Sequence, residues 1–329
     1  MKKYVALILL LSLTLVSSLT SCAKNKNGEE NMLAERPYLT VRINVSGCNY
    51  EIRVNGVPIM TEKRGYPVVV AIPVNQWMFS GGNQLSMILT PLPGEKDITI
   101  TPDSCMTLQV KESGAPRSTT RPISTFCYQG EFTLLKKTVE KSSPAGRFNS
   151  KKEMQADPDG DVVVSHVQVA AVEKGTGVMV SRNISINLPF PQWKWVSGDF
   201  IPDNDQSRQA LFLEYKKMWD MLNNKDIKSV MSFVQEKIKE SAISLNQEEK
   251  LFAEETELDY MDAFDSTKFK LFPLDLYNLD FFVYGDGRLA ELKMWNGAGA
   301  FVFSRIDGSG SSSYHDIFRK SGDKWVLCR

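Results

Sequence analysis

The sequence is poor in histidine, has no excess of charge of either sign and lacks the common catalytic and phosphate-binding motifs. Its 329 residues include only two histidines, which excludes a histidine-rich metal centre. Lys and Arg together number 39, as do Asp and Glu, so the overall charge gives no indication of nucleic-acid binding. No Gly-x-Ser-x-Gly elbow, phosphate loop, His-Glu-x-x-His or Cys-x-x-Cys is present. We therefore expect no nucleic-acid partner, no metal and no cofactor.

The rest of the composition is that of an ordinary soluble globular protein. Hydrophobic residues make up 42% and charged residues 24% of the chain, so most of it is expected to fold. The length leaves room for two domains. A change in the period of the hydrophobic pattern along the chain then locates the boundary between them.

The first 22 residues have the features of a secretory signal peptide. Lys2 and Lys3 give a short basic start, and residues 5–16 are almost wholly apolar. The apolar run is short for a membrane span, and small and polar residues follow it up to Cys22. We predict that residues 1–22 direct export.

The end of this segment, Leu19-Thr20-Ser21-Cys22, resembles the lipobox of bacterial lipoproteins. The resemblance implies cleavage before Cys22, a diacylglycerol on its thiol and an acyl chain such as palmitate on its amine, so the lipid bilayer would be a partner. Ala23 and Lys24 follow without an Asp, which resembles lipoproteins passed on to the outer membrane, where they face the periplasm. The alternative is a cleaved, soluble periplasmic protein.

Residues 37–201 show a β pattern almost throughout, after a polar stretch over residues 23–36 that we interpret as a flexible tether. Short alternating runs are separated by Gly, Pro and Asn, and none has a convincing helical stripe. Ser46–Asn49 and Asn55-Gly56 have the composition of hairpin turns, and residues 142–161 are expected to form a long exposed loop. This pattern predicts an all-β antiparallel sandwich of the jelly-roll or immunoglobulin-like kind.

Residues 202–329 change to a helical period and then return to strands. Three helices are expected, one after Asp203, a second capped by Asp226 and a third over Gln247–Phe264. The apolar faces of the first two consist of Leu211, Tyr215, Met218, Trp219 and Leu222, and of Ile227, Val230, Met231, Val234 and Ile238. The expected strands cover residues 279–284, 288–295, 300–306, 313–319 and 324–328.

The segment Tyr215-x3-Trp219-x2-Leu222-x3-Asp226 and the closing run Phe318–Val326 resemble the nuclear transport factor/SnoaL-like superfamily. The match spans roughly residues 207–329 and rests on the residue pattern and the order of elements. It implies an α+β cone, in which helices pack on a curved antiparallel sheet. Because that superfamily holds both enzymes and inert binding domains, the resemblance does not decide the function.

Four cysteines remain after Cys22, and export permits disulfide bonds. They are Cys48, Cys105, Cys127 and Cys328, which allow three pairings. Because Cys105 and Cys127 lie on successive expected strands, we favour a bond between these two. The alternative is that the cysteines are small buried hydrophobic residues.

An enzyme that used the pocket of such a cone would need a buried Asp, His or Tyr, and the candidates are Asp280, Tyr284 and His315. Asp316 adjoins His315, but neighbours on a strand point to opposite faces, so Asp316 is not expected to orient the imidazole. The more ordinary interpretation of His315, and equally of His166, is a structural or surface side chain.

Trp193 and Trp195 alternate on an extended segment and therefore share a face. Exposed aromatic rings can stack on sugars, and the Asn55-Gly56 turn followed by Gly82–Leu85 loosely resembles accessory jelly-roll modules of sugar-processing proteins. An envelope glycan is thus one alternative partner. Because prolines flank the two rings, we favour a role in packing the joint between the two halves.

The third expected helix is acidic, with eight acids and one Lys between residues 248 and 265. Like charges three and four apart on a helix repel, so stability does not explain this composition. An acidic face can steer a basic protein partner, whereas a merely solvated face is the alternative. The residues expected to contact the partner are Glu254, Glu255, Glu257 and Asp259.

The lipobox and the lack of a catalytic signature together predict a membrane-anchored, non-enzymatic binding protein of the bacterial cell envelope. One form of this hypothesis is an immunity lipoprotein that neutralises a secreted toxin, with the acidic third helix as the contact. Two alternatives remain open. One is an enzyme that uses a pocket in the C-terminal domain, and the other is an envelope-assembly or glycan-binding factor that uses the β-sandwich.

Overall fold

The structure is a computed structural model that describes most of the chain between Tyr38 and Arg329. Its described part is mixed α and β, with antiparallel sheets first and helices followed by further antiparallel sheets after them. None of the described helices is long and apolar enough to cross a membrane. Cys22, the tether, residues 142–161 and His166 lie outside the described residues. The described residues are 38–95, 97–99, 105–111, 120–127, 131–133, 162–164, 168–171, 177–186 and 190–329.

Twelve strands come from the described residues before position 190, and they form three antiparallel sheets. The strands are β1 (Tyr38–Val45), β2 (Asn49–Val54), β3 (Val57–Glu62), β4 (Val68–Pro73), β5 (Gly81–Thr90), β6 (Asp97–Thr99), β7 (Cys105–Lys111), β8 (Thr120–Cys127), β9 (Glu131–Thr133), β10 (Val162–Val164), β11 (Gln168–Ala171) and β12 (Val178–Ile186). One sheet has the order β4-β1-β7-β8, a second has β10-β12-β5-β2-β3 with β11 also on β12, and β6 pairs with β9.

Apolar residues give β1, β2 and β5 a buried face each. One hydrophobic cluster includes fully buried residues of two sheets. β1 contributes Val41 and Ile43, whereas β2 contributes Ile52 and β5 contributes Leu85 and Met87. Full burial of such a side chain contributes roughly 1.5–3 kcal/mol. The two larger sheets therefore share a core.

The turn predicted at Asn55-Gly56 is confirmed, whereas the hairpin predicted at Ser46–Asn49 is wrong. Asn55 and Gly56 have φ of 50° and 75° between the paired strands β2 and β3, as a type I′ turn requires. Strands β1 and β2 do not pair with each other, because β1 pairs with β4 and β7 while β2 pairs with β3 and β5. Cys48 is fully buried in this connection, which carries the chain from one sheet to the other.

Four α-helices follow in the described chain, and the helix predicted to start at Asp226 is divided into two. Asp226 caps it as predicted, accepting the Ser229 N–H at 3.1 Å, but the helix ends at Phe233 and a new one begins at Gln235. The predicted faces of the first two helices are buried at Leu211, Tyr215, Met218, Leu222, Val230, Val234 and Ile238. The helices are α1 (Asp205–Asn223), α2 (Ile227–Phe233), α3 (Gln235–Ser244) and α4 (Glu249–Ala263).

The C-terminal strands form two further antiparallel sheets, with orders β13-β16-β17 and β14-β15-β18-β19. The strand predicted over residues 313–319 is wrong as a single element, because its halves are β17 and β18 in different sheets, and His315–Ile317 lie between them. The strands are β13 (Phe269–Leu271), β14 (Leu279–Tyr284), β15 (Leu289–Met294), β16 (Phe301–Arg305), β17 (Ser311–Tyr314), β18 (Phe318–Ser321) and β19 (Lys324–Leu327).

Tyr215 of α1 fixes the helices on the C-terminal strands. Its ring stacks on Phe301 at 5.2 Å and lies 5.1 Å from Phe318. Its hydroxyl accepts the Leu292 N–H at 3.1 Å and donates to the carbonyl of Asp316. Since Leu292 faces the helices, the neighbouring side chains of β15 project from the opposite face of the sheet, toward the N-terminal half.

Candidate functional site

The two halves of the described chain meet around Trp193 and Trp195, as predicted. Both indoles are buried, and their Nε1 groups donate to the carbonyls of Met78 at 2.7 Å and Gln76 at 3.0 Å. The packing interpretation is therefore confirmed. These two rings are not available for stacking on a sugar.

The core around these indoles includes residues from both halves. Tyr284, Leu289, Ile317 and Cys328 belong to the same hydrophobic cluster as the N-terminal strands. A Cβ placed on Gly285 would lie 3.1 Å from the ring of Trp195, so the indole packs directly on the backbone of the β14–β15 turn. Separation of the halves would expose this apolar surface to water.

Two glutamates of α3, four residues apart, add ion pairs to the joint. Glu240 accepts the Lys194 N–H at 3.0 Å and the Arg329 guanidinium at 2.5 Å. Glu236 accepts two hydrogen bonds from Arg319, at 2.6 and 2.8 Å, and one from the Lys194 ammonium at 2.9 Å. Burial raises the pKa of Glu236, but the hydrogen bonds from Arg319 and Lys194 outweigh it and lower the pKa. The only signal of this pair in the sequence is its spacing on one helix face.

Three residues were proposed for a catalytic pocket. The structure brings Tyr284 and His315 together, whereas Asp280 is exposed and lies apart from them. The link is Glu291, a buried carboxylate that the sequence analysis missed. One oxygen of Glu291 lies 2.7 Å from His315 Nδ1, and the other accepts the Tyr284 hydroxyl at 3.4 Å. The side chains of Tyr284 and His315 thus meet at one carboxylate.

Lys293 forms an ion pair with this carboxylate. Its ammonium lies 3.6 Å from Glu291 and over the rings of Phe282, at 4.5 Å, and Tyr284, at 5.2 Å. Burial, together with the charge of Glu291, raises the pKa of Tyr284. His315 itself is exposed, so the arrangement is a buried carboxylate that orients an accessible imidazole, which is a geometry suited to proton transfer.

This cluster differs in position from the expected cone pocket. Tyr284 belongs to the core shared with the N-terminal half, whereas the space between the helices and the sheets is occupied by side chains such as Tyr215 and Phe301. Asp316 pairs with the Lys237 ammonium at 2.6 Å, whereas the imidazole of His315 lies beside Glu291. Asp316 was not expected to orient the imidazole, but the reason is not strand alternation, because both residues lie between β17 and β18. Between α1 and the β18–β19 turn lies an open groove of about 430 Å³, and its lining includes neither Glu291 nor His315.

The acidic residues predicted to contact a partner lie on α4. Glu254, Glu257 and Asp259 are exposed and Glu255 is half-buried. Partial burial, followed by the charge of the neighbouring Asp262, raises the pKa of Asp259. The four acids therefore lie at the surface but do not share one environment.

Helix α4 also exposes three large apolar side chains among these acids. Leu251, Leu258 and Met261 are 48%, 64% and 53% exposed, while Tyr260 is the one buried residue of the helix. Residues three, four and seven apart share a helix face, so the exposed side chains form one outward stripe. The helix is thus apolar on the side facing the core and again on the side facing solvent.

Described cations lie beside Glu254 and Asp262 of α4 but not beside Glu255 or Glu257. Lys250 lies 3.9 Å from Glu254, and Lys268 lies 2.7 Å from Asp262. Within the described ranges, no Lys or Arg comes within 4 Å of Glu255 or Glu257. The centre of the outward stripe is therefore both apolar and negative.

The predicted disulfide partners occupy matching positions. Cys105 and Cys127 are direct partners in the antiparallel pairing of β7 with β8. Cys48 and Cys328 are buried and free, and burial raises the pKa of each thiol to about 12. The Cys105–Cys127 bond itself stays a prediction.

Comparisons with protein-family models, with curated proteins and with solved structures found no match to this chain.

Proposed function

We propose that this protein is a lipid-anchored protein of the bacterial periplasm that binds another protein through the outward face of α4. The anchor is inferred from the lipobox that ends at Cys22, and β1 begins at Tyr38. As the flexible tether that their composition predicts, residues 23–36 would have a root-mean-square span of about 20 Å. That length would let the folded part move beyond the lipid headgroups of the outer membrane.

Replacement of Cys22 by Ala tests the anchor. The variant should accumulate as a precursor or a soluble species, because the acylated thiol is lost and several acyl chains are needed for stable membrane binding. Metabolic labelling with palmitate measures this directly. Label that still enters the Ala variant would refute the anchor.

For the fold, we propose a β-sandwich over residues 37–201 and an α+β cone over residues 202–329. The sandwich is supported by the core that β1 shares with β2 and β5. The cone is supported by the four helices that precede the C-terminal sheets and by the packing of Tyr215 on Phe301.

The observation that carries the binding proposal is the solvent exposure of Leu251, Leu258 and Met261 beside Glu255 and Glu257, which no Lys or Arg of the described residues approaches within 4 Å. Exposed apolar side chains grouped on one face mark interaction sites in soluble proteins. Like charges on one helix weaken it slightly, so neither feature is explained by the stability of α4. A partner that covers the apolar side chains and supplies basic residues would account for both. An immunity lipoprotein that captures a basic toxin at the membrane is one form of this proposal.

Capture from an envelope extract with the detergent-solubilised, full-length protein tests the binding proposal. Replacement of Glu254, Glu255 and Glu257 by Lys should abolish capture of whichever protein the wild type retains and should slow its association, most strongly at low salt. A partner retained equally by wild type and variant would place the contact elsewhere. The control changes net charge equally at exposed acids away from α4, namely Asp203, Asp280 and Asp323.

A second candidate function is proton-transfer catalysis, favoured by the contact of His315 with the buried Glu291. Glu291 would orient the imidazole, and His315 would accept or donate the proton. A screen of hydrolysable substrates in which turnover is lost in His315→Gln would support this alternative. Turnover that is unaffected by this change would remove it.

A further inference from the structure

The exposed stripe of α4 has the spacing of a coiled-coil seam. Leu251, Glu254, Leu258 and Met261 follow one another at intervals of three, four and three residues, which is the order of core positions a and d in a heptad. All four are exposed, so no element of the described chain covers them. Three of the four are apolar, as a seam requires.

Three of the four positions that flank this seam are acidic. Glu255 and Asp262 occupy the e positions on one side, and on the other side Glu257 occupies one g position and Lys250 the other. In coiled coils the e and g residues choose the partner by charge. A partner helix with Lys or Arg at its own flanking positions would pair with these carboxylates, and one basic seam residue would pair with Glu254.

We infer that the partner contacts α4 with a basic amphipathic helix, whose apolar side chains follow the same heptad spacing. This inference rests on the proposed function, because it specifies the partner of the same face. Leu251 and Met261 are ten residues apart, so the seam is about 15 Å long. A contact of that length is small and suits a transient complex.

The same charges argue against two other occupants. In a parallel dimer of this chain across the seam, Glu254 would face Glu254 of the second copy and Glu257 would face Asp262, two repulsive contacts against the one favourable contact of Lys250 with Glu255. An anionic lipid surface would repel Glu255 and Glu257 in the same way. A basic helix is the occupant that both the apolar and the charged side chains fit.

A synthetic three-heptad peptide, with Leu at the a and d positions and Lys at the e and g positions, is the probe. Fluorescence anisotropy measures its binding to the full-length protein in detergent, and circular dichroism measures the helix formed on binding. The matched peptide carries Glu at e and g. We expect the Lys peptide to bind at least about tenfold more tightly. Equal affinities for the two peptides would overturn the inference.

Leu258→Asp tests the seam itself. It should weaken binding of the Lys peptide at least about tenfold, because it replaces the central apolar contact. Leu213→Asp on α1, at a similarly exposed Leu of 59% exposure, should change it less than about twofold. Unchanged binding by Leu258→Asp, or a dimer of the protein alone that this change dissociates, would overturn the inference. If charge reversal abolishes partner capture while the peptide does not bind, the proposed function stands and the helical partner is refuted.

Discussion

Replacement of Trp195 by Ala tests whether the two halves fold as one unit. The indole is 3% exposed, lies 6.1 Å from the ring of Trp77 and donates to the Gln76 carbonyl at 3.0 Å. Truncation of a buried Trp costs about 3–5 kcal/mol. The half-buried Gln76 carbonyl keeps a second donor, the Arg329 guanidinium at 3.3 Å, so the lost indole hydrogen bond adds little to this cost. We expect the free energy of unfolding to fall by about 3–5 kcal/mol.

Equilibrium unfolding in urea, followed by circular dichroism and by Trp fluorescence, measures this effect. With a denaturant dependence of about 3 kcal/mol per molar, the midpoint should fall by more than about 1 M. The two signals should coincide for the wild type and separate for the variant, since the joint no longer couples the halves. Trp295→Ala is the matched control: this Trp is 76% exposed, and its loss should cost less than about 0.5 kcal/mol. Equal midpoint shifts for the two variants would refute the reasoning.

Three further predictions concern ionisation and the cysteines. Glu236→Gln should destabilise the protein at neutral pH but not in acid. Because the pKa of Glu236 is lower in the folded protein, its carboxylate contributes to the free energy of unfolding above the pKa of an unfolded Glu, about 4.3. This contribution is lost as the pH falls through the lower pKa of the folded state. Urea midpoints of variant and wild type should therefore converge in acid, and a constant difference would contradict this. Cys48 and Cys328 should resist thiol reagents until the protein unfolds, because burial raises both pKa values to about 12; rapid labelling of the folded protein would show otherwise. Peptide mapping without reduction should recover Cys105 linked to Cys127, and two free thiols at these positions would exclude the bond.

The sequence predicted the positions of helices and strands better than it predicted which strands pair with each other. Amphipathic period and capping located α1 and the start of α2, and Asn55-Gly56 located a hairpin. The turn at Ser46–Asn49 was misjudged because local turn composition does not determine whether the next strand pairs with the last one or crosses to another sheet. The single strand predicted over residues 313–319 is wrong for the same reason, since its residues are divided between β17 and β18, which belong to different sheets.

The candidate residues were predictable only where the signal is local. The acids of α4 and the pair Trp193 and Trp195 are close in sequence, so their composition revealed them, although Trp195 lies in a 3-10 turn over Lys194–Ser197 and not on the extended segment expected. Glu291 and His315 are 24 residues apart. They meet because β15 pairs with β18, and the sequence spacing does not predict that pairing. Exposure of Leu258 was also hidden, because a helix with apolar residues on two sides does not reveal which side the core will cover.

Photo-crosslinking from α4 in intact cells tests the central claim most directly. A photoreactive side chain in place of Leu258 should form a covalent adduct with a protein partner of the envelope, since this position lies at the centre of the exposed stripe. The same side chain in place of Leu213, which is exposed on α1, is the control. An adduct at Leu258 that disappears when Glu254, Glu255 and Glu257 become Lys is the predicted result. Adducts of equal yield at both positions, or at Leu213 alone, would contradict the assignment of α4 as the binding face.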